Sequence, residues 1–219
     1  MKKIIQYIAN IPIIYDIYEF LMKKRYRHLF QIIRRYRCKR IMEIGTYDGK
    51  HALEMIQLAK KFHGNQVEYY GFDLFGMMNN AILEKEAAKQ PITRQETLEK
   101  LGKTKCKITL FKGFTRKSLP QNINKLPKMD LIFIDGGHSI QTIQNDWLFS
   151  QKLMHQDSIV VFDDYWNRDK AGCKTVIRDI DRSKYRVEIL PITDWFLKPD
   201  GILKINMVMV SKNEIPTVK

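Results

Sequence analysis

Residues 41–49 constrain the fold of this chain more than any other stretch. Ile41, Met42 and Ile44 form a short apolar run with Glu43 inside it, and Gly45 and Gly49 come directly after. Ala52, Leu53, Ile56, Ala59 and Phe62 then recur at helical spacing up to Gly64. A buried strand thus passes through a glycine turn into an amphipathic helix, the build of a nucleotide-binding β-turn-α unit. Glycine has no Cβ, so the backbone turns sharply and a ligand can come close to the main chain. The spacing is E-x-G-x-x-x-G, not the dinucleotide G-x-G-x-x-G. Alone, such a turn is as often a plain tight connection, so the rest of the chain must decide.

Beyond the turn, strands and helices alternate regularly. Strands are expected near 40–44, 67–72, 107–111, 129–134, 158–162, 185–190 and 205–210. A helix at 49–63 connects the first two. Residues 74–105 are a helical insertion, a candidate lid, with one helix over 79–89 that stops before Pro91. Thr93 and Glu96 form a capping box for a second helix ending at Gly102. Ser139 caps a helix carried by Ile140, Ile143, Trp147 and Leu153, and a further helix spans 174–181. The last two strands have no helix between them and are expected as an antiparallel edge pair. The fold class is therefore α/β, a Rossmann-like, doubly wound, seven-stranded mixed sheet. Residues 39–212 form this domain, 1–38 form basic amphipathic helices before it, and 213–219 form a tail. Pro12 should split the first of these helices.

The 219 residues carry a net charge of +14. Residues 1–42 hold eleven basic and two acidic side chains, a surplus of nine positive charges that lies mainly in the extension. That surplus suits nucleic acid, an anionic membrane surface or an acidic substrate, and equally a solvated helix face. Packing on the sheet, or on a second copy in a homodimer, is the preferred reading of the extension, and it assigns the extension to interactions and not to chemistry. Cys38, Cys106 and Cys173 are far apart, with no CxxC pair or Cys/His cluster, which excludes a zinc site and a disulfide framework. A reducing, cytoplasmic setting is expected, with a peripheral place at a membrane surface left open. No stretch reads as a transmembrane span.

Several acids end strands at the edge where open parallel sheets bind ligands. Asp73 ends the second strand, where a carboxylate can accept two hydrogen bonds from a ribose diol or cap the next helix. Asp135 ends the fourth strand, and Asp163 and Asp164 end the fifth. On neighbouring strands ~4.8 Å apart, three uncompensated carboxylates would repel one another. A divalent cation resolves that conflict, and an oxygen-only donor set favours Mg²⁺ or Ca²⁺ over zinc. The alternative is that these acids are helix caps and loop residues. His138 stands three residues after Asp135, placed either as a proton acceptor or as an exposed residue at a helix start. His51, His63 and His155 adjoin no motif and read as surface residues.

Gly113, Thr115, Leu119 and Pro120 lie between the third and fourth strands. Together with the runs Ile134-Asp135-Gly136-Gly137-His138-Ser139 and Phe162-Asp163-Asp164-Tyr165-Trp166, they resemble the class I S-adenosylmethionine-dependent methyltransferases. The likeness is to the metal-dependent O-methyltransferases of the catechol type and to the bacterial group acting on antibiotic sugars, and it covers about 40–210. It implies that Glu43, Gly45, Thr46, Gly49, Asp73, Thr115, Arg116 and Asp135 surround S-adenosylmethionine. It further implies that Asp135, Asp163 and Asp164 hold Mg²⁺ and that His138 is the base. The catechol enzymes have Asp-Asn and a lysine where this chain has Asp163-Asp164 and His138, which points to a sugar or other diol as the small hydroxylated acceptor. A methyltransferase acting on RNA, docked by the basic extension, is the second reading. A cofactor-binding protein without catalysis is the third.

Overall fold

The computed structural model describes residues 24–77, 86 and 90–213. The expected helix over 79–89, except Glu86, the first N-terminal helix with its Pro12 break, and all of the tail but Asn213 lie outside the described residues.

In chain order the elements are α1 (Tyr26–Tyr36), β1 (Arg40–Ile44), α2 (Lys50–His63), β2 (Glu68–Asp73), α3 (Arg94–Gly102), β3 (Lys107–Lys112), α4 (Thr115–Asn122) and β4 (Met129–Ile134). They continue with α5 (Ile140–Leu153), β5 (Met154–Trp166), α6 (Lys174–Arg178), β6 (Tyr185–Ile189), β7 (Asp194–Lys198) and β8 (Gly201–Lys212). The sheet order is β3-β2-β1-β4-β5-β8-β6. The first five strands are parallel, β8 runs antiparallel between β5 and β6, and β7 forms a hairpin with β8. All seven expected strands are present, and β7 is an eighth.

Alternating side chains decide which core each strand residue joins. Ile41, Tyr69, Leu131, Phe133, Ile159 and Val161 face one way, against Leu29, Ile32 and Ile33 of α1 and Met55, Ile56 and Ala59 of α2. Met42, Ile44, Tyr70, Phe72, Ile132, Ile134, Val160 and Phe162 face the other way, against Leu119 of α4, Ile143 and Trp147 of α5, and Val176 and Ile177 of α6. Both faces are covered, which is why the central strands are almost entirely apolar. Glu43, Asp135 and Asp163 share the parity of the first set, so they lie on the side that α1 covers.

Local chemistry sets the helix starts. Thr93 and Glu96 make the expected capping box, and the Ser139 hydroxyl accepts from the Thr142 N–H. Glu86, from the insertion, accepts from the Ser139 N–H at 3.0 Å, tying the insertion to the start of α5. Among the described residues no helix is long and apolar enough to cross a membrane.

Candidate active site

Register brings the strand ends together. Ile44 pairs with both Phe72 and Ile134, and Ile134 pairs with Phe162. The next residues, Gly45, Asp73, Asp135 and Asp163, therefore emerge side by side at one edge. Gly45 has φ +94°, and a Cβ there would lie 1.9 Å from the Asp135 carbonyl oxygen. Only glycine fits this crossing. Gly49, at φ +68°, precedes α2 and donates its N–H to the Thr46 carbonyl at 2.8 Å.

The residues expected around the cofactor divide into two groups. Asp73 lies at the open edge and accepts from the N–H groups of Tyr47 at 2.7 Å and Leu74 at 2.6 Å. Glu43 is buried beneath the turn and accepts from the Tyr69 hydroxyl, which also contacts Thr46 Oγ1. Burial pushes the Glu43 carboxyl up to about 8, so Glu43 braces the turn in its protonated form near neutrality. Thr115 opens α4 and receives a hydrogen bond from Asn145 at 3.4 Å. Arg116 is exposed, with its guanidinium stacked 4.4 Å over the Phe114 ring.

The three acids do converge: one oxygen from each of Asp135, Asp163 and Asp164 lies within 4.8 Å of the others. Asp163 and Asp164 are adjacent and would point to opposite faces in a regular strand. A register shift between Phe162 and Tyr165, with Asp164 at φ +59°, re-aims them to one edge. Gly172 makes room, because a Cβ there would stand 2.4 Å from the Asp164 carbonyl oxygen.

These acids are not uncompensated, which corrects the premise behind the expected cation. Arg25, just before α1, grips both Asp163 oxygens, with Nε and Nη2 each at 2.6 Å. Its Nη1 donates to Asp194 at 2.8 Å, and Asp194 also accepts from the Lys24 N–H at 2.8 Å. Arg25 is only 5% exposed. Burial lowers its pKa, but Asp163, Tyr26 and Asp164 together outweigh this and hold the guanidinium ionised. The Tyr26 hydroxyl bridges Asp135 and Asp163 at 3.0 Å to each. Burial, followed by the charges of Asp163 and Asp164, pushes Asp135 well above the usual carboxylate range. Asp164 pairs with His138 Nε2 at 2.8 Å and accepts from Trp166 Nε1 at 3.0 Å. Burial opposes ionisation of Asp164, but His138, Arg25 and Trp166 together outweigh it and hold the carboxyl at about 2.

In number and spacing the acids suit a divalent cation, but as arranged their oxygens already carry partners. The guanidinium bonds to both Asp163 oxygens, His138 and Trp166 bond to those of Asp164, and a dication would abut the Arg25 charge.

Four residues of the site escaped the sequence reading. Arg25, Tyr26 and Asp194 come from segments far from any motif. His51, expected at the surface, stacks on Tyr26 with ring centroids 3.9 Å apart. His63 and His155 do lie away from the site, on the Arg37 carbonyl and on Asp130. Asp146 of α5 is fully buried, and its Oδ2 has no hydrogen-bond partner among the described residues. Burial pushes it up to about 7 against the bonds from Thr115 and Asn145. Its signal was present in the sequence: Ile143, Asp146, Trp147 and Ser150 fall on one helix face, so an acid sits in an apolar stripe.

Comparison with known proteins agrees with this geometry. No curated protein matches the sequence. Among solved structures, a protein assigned as an O-methyltransferase from Klebsiella pneumoniae superposes with TM-score 0.59 at 16% identity, covering 88% of this chain and 81% of that one. The O-methyltransferase TomG from Streptomyces achromogenes, involved in tomaymycin synthesis and solved with S-adenosylmethionine, gives 0.54 at 15% identity over 84% and 78% of the two chains. The Bacillus cereus O-methyltransferase, solved with S-adenosylhomocysteine, gives 0.56 at 14% identity over 94% and 96%. At these identities the likeness establishes the fold. A family model described as a methyltransferase domain matches residues 42–165, from the strand that opens the glycine turn to the residue after the paired acids. The chain belongs to this methyltransferase-domain family and is a methyltransferase.

Proposed function

We propose that the protein is an S-adenosylmethionine-dependent O-methyltransferase acting on a hydroxyl of a small molecule, a sugar or other diol. One observation carries the reading. The glycine turn and the acid-histidine edge abut through the close approach of Gly45 to the Asp135 carbonyl, so a cofactor on the turn would lie beside the residues that can handle a proton. When bound, S-adenosylmethionine supplies an electrophilic methyl group on a sulfonium. Asp73, at the end of β2, is placed to accept from the ribose hydroxyls in exchange for its backbone donors. His138 serves as the base. With Nε2–H on Asp164, the ring keeps its lone pair on Nδ1, and Asp164 stabilises the imidazolium formed when the acceptor hydroxyl gives up its proton. The expected magnesium dependence is not part of this reading, because Arg25 takes both Asp163 oxygens.

Calorimetry should detect S-adenosylmethionine binding, weakened in Asp73→Ala by roughly 1–3 kcal/mol through lost hydrogen bonds to a charged acceptor. Release of S-adenosylhomocysteine in the presence of a panel of polyhydroxylated small molecules then tests the acceptor class. His138→Ala should slow the release by about 10²–10⁴-fold while leaving cofactor affinity unchanged. No cofactor binding by the wild-type protein would end the proposal.

A further inference from the structure

Arg25 is one of the eleven basic residues whose surplus charge suggested a docking arm, yet it reaches the acid cluster from the N-terminal side of α1 and is held there from two directions. Asp163 takes Nε and Nη2, both at 2.6 Å, in the bidentate fork that matches guanidinium to carboxylate. Asp194 takes Nη1 at 2.8 Å, and its two oxygens also receive the backbone N–H groups of Lys24 and Arg25. All three side chains are at most 5% exposed. α1 itself is fixed by Leu29, Ile32 and Ile33 in the core. A charge buried this way on a packed helix is part of the folded structure, unlike an exchangeable surface ion.

We infer that Arg25 is the resident counter-cation of the acid cluster and that it excludes a divalent cation from Asp135, Asp163 and Asp164. The argument is one of occupancy and charge. The fork places an N–H on each Asp163 oxygen, the Tyr26 hydroxyl lies between Asp163 and Asp135 at 3.0 Å to each, and His138 holds Asp164. A second cation would have to share or displace these contacts and sit against a guanidinium. Exclusion of the cation stands on the Arg25 contacts themselves and does not depend on the proposed O-methyl transfer.

The experiment uses Mn²⁺, which takes the same oxygen-rich octahedral sites as Mg²⁺ and is read directly by electron paramagnetic resonance or water-proton relaxation. At millimolar Mn²⁺ the full-length wild-type protein should hold no stoichiometric ion at this cluster, and EDTA should leave its melting temperature unchanged. Arg25→Gln removes the charge at similar length and should gain one bound Mn²⁺, lost again in Arg25→Gln with Asp163→Asn. Arg25→Lys, which keeps a cation, should bind none. One Mn²⁺ on the wild-type protein that disappears in Asp163→Asn overturns the inference, as does a folded Arg25→Gln variant that binds no more than wild type. If Arg25→Gln fails to fold, the wild-type and Asp163→Asn measurements still decide. Calorimetry with S-adenosylmethionine on the same wild-type sample keeps the two questions apart: loss of cofactor binding counts against the methyltransfer reading and leaves cation exclusion standing.

Discussion

The two halves of the site are built in different ways. The half proposed to hold the cofactor is local and made mostly of backbone: Gly45, Gly49 and Asp73 lie within 29 residues of one another, and strand register places them. The acid half is assembled from four distant segments through side chains. Arg25 bonds to Asp163 across 138 residues and to Asp194 across 169. A backbone turn is specified by the residues that form it. A buried ion pair is specified by where two remote elements dock, and its energy comes from partners that must arrive together.

That difference should appear first in stability. Arg25→Ala leaves Asp163 and Asp194 buried without their counter-ion, and removing one partner of a buried pair costs about 3–5 kcal/mol. Urea unfolding measures it. A loss below about 1 kcal/mol, the range of exposed pairs, would mean that the fork is incidental. In the cofactor half, Gly45→Ala places a Cβ 1.9 Å from a backbone oxygen at a φ of +94°. We expect it to cost about 2–4 kcal/mol, as residues forced into sparse backbone regions with an added clash do. Asp73→Asn should cost about 1 kcal/mol, because Tyr47 and Leu74 donate to different Asp73 oxygens and Asn keeps only one acceptor. If Gly45→Ala is tolerated, the turn is looser than its geometry states.

The same contrast explains what the sequence revealed. Seven of the strands, the glycine turn, the Thr93 and Ser139 caps and the meeting of Asp135, Asp163 and Asp164 were all legible, because each arises from local pattern or from parallel β/α order. Arg25 was not. It looked like ten other basic residues of the extension, and nothing nearby marks it as the one that turns inward. Asp194 is hidden because β7 is a short strand that turns directly into a hairpin with β8 and carries no motif. His51 read as surface for the same reason: its partner, Tyr26, comes from another element. The expectation of Mg²⁺ came from counting the three acids without Arg25, which reaches them from a distant segment.

A pH scan of stability separates the halves with a smaller effect. Burial raises Glu43 to about 8 and Asp146 to about 7, from ordinary values of 4.5 and 3.8. The folded protein therefore holds these protons more tightly than the unfolded chain. Their contribution is intact below about pH 4 and is lost as pH rises through the folded values. Asp135, also raised by burial, adds to this loss. Asp164 works in the opposite sense: held at about 2 against 3.8, it contributes above its unfolded value and loses that contribution as pH falls toward 2. Stability should thus decline on the alkaline side through Glu43, Asp146 and Asp135, and on the acid side through the His138–Asp164 pair. Glu43→Gln keeps an acceptor for the Tyr69 hydroxyl, and Asp146→Asn keeps the shape of the side chain. Together they should flatten the decline between about pH 4 and 8 and stabilise the protein at pH 8 by about 1–3 kcal/mol, a fraction of the 1.36 kcal/mol per pKa unit that full burial would give. The acid-side decline should not move. Guanidinium melts at half-unit pH steps measure both limbs, and an alkaline limb as steep in the double variant as in wild type would show that Glu43 and Asp146 are ionised in the folded protein.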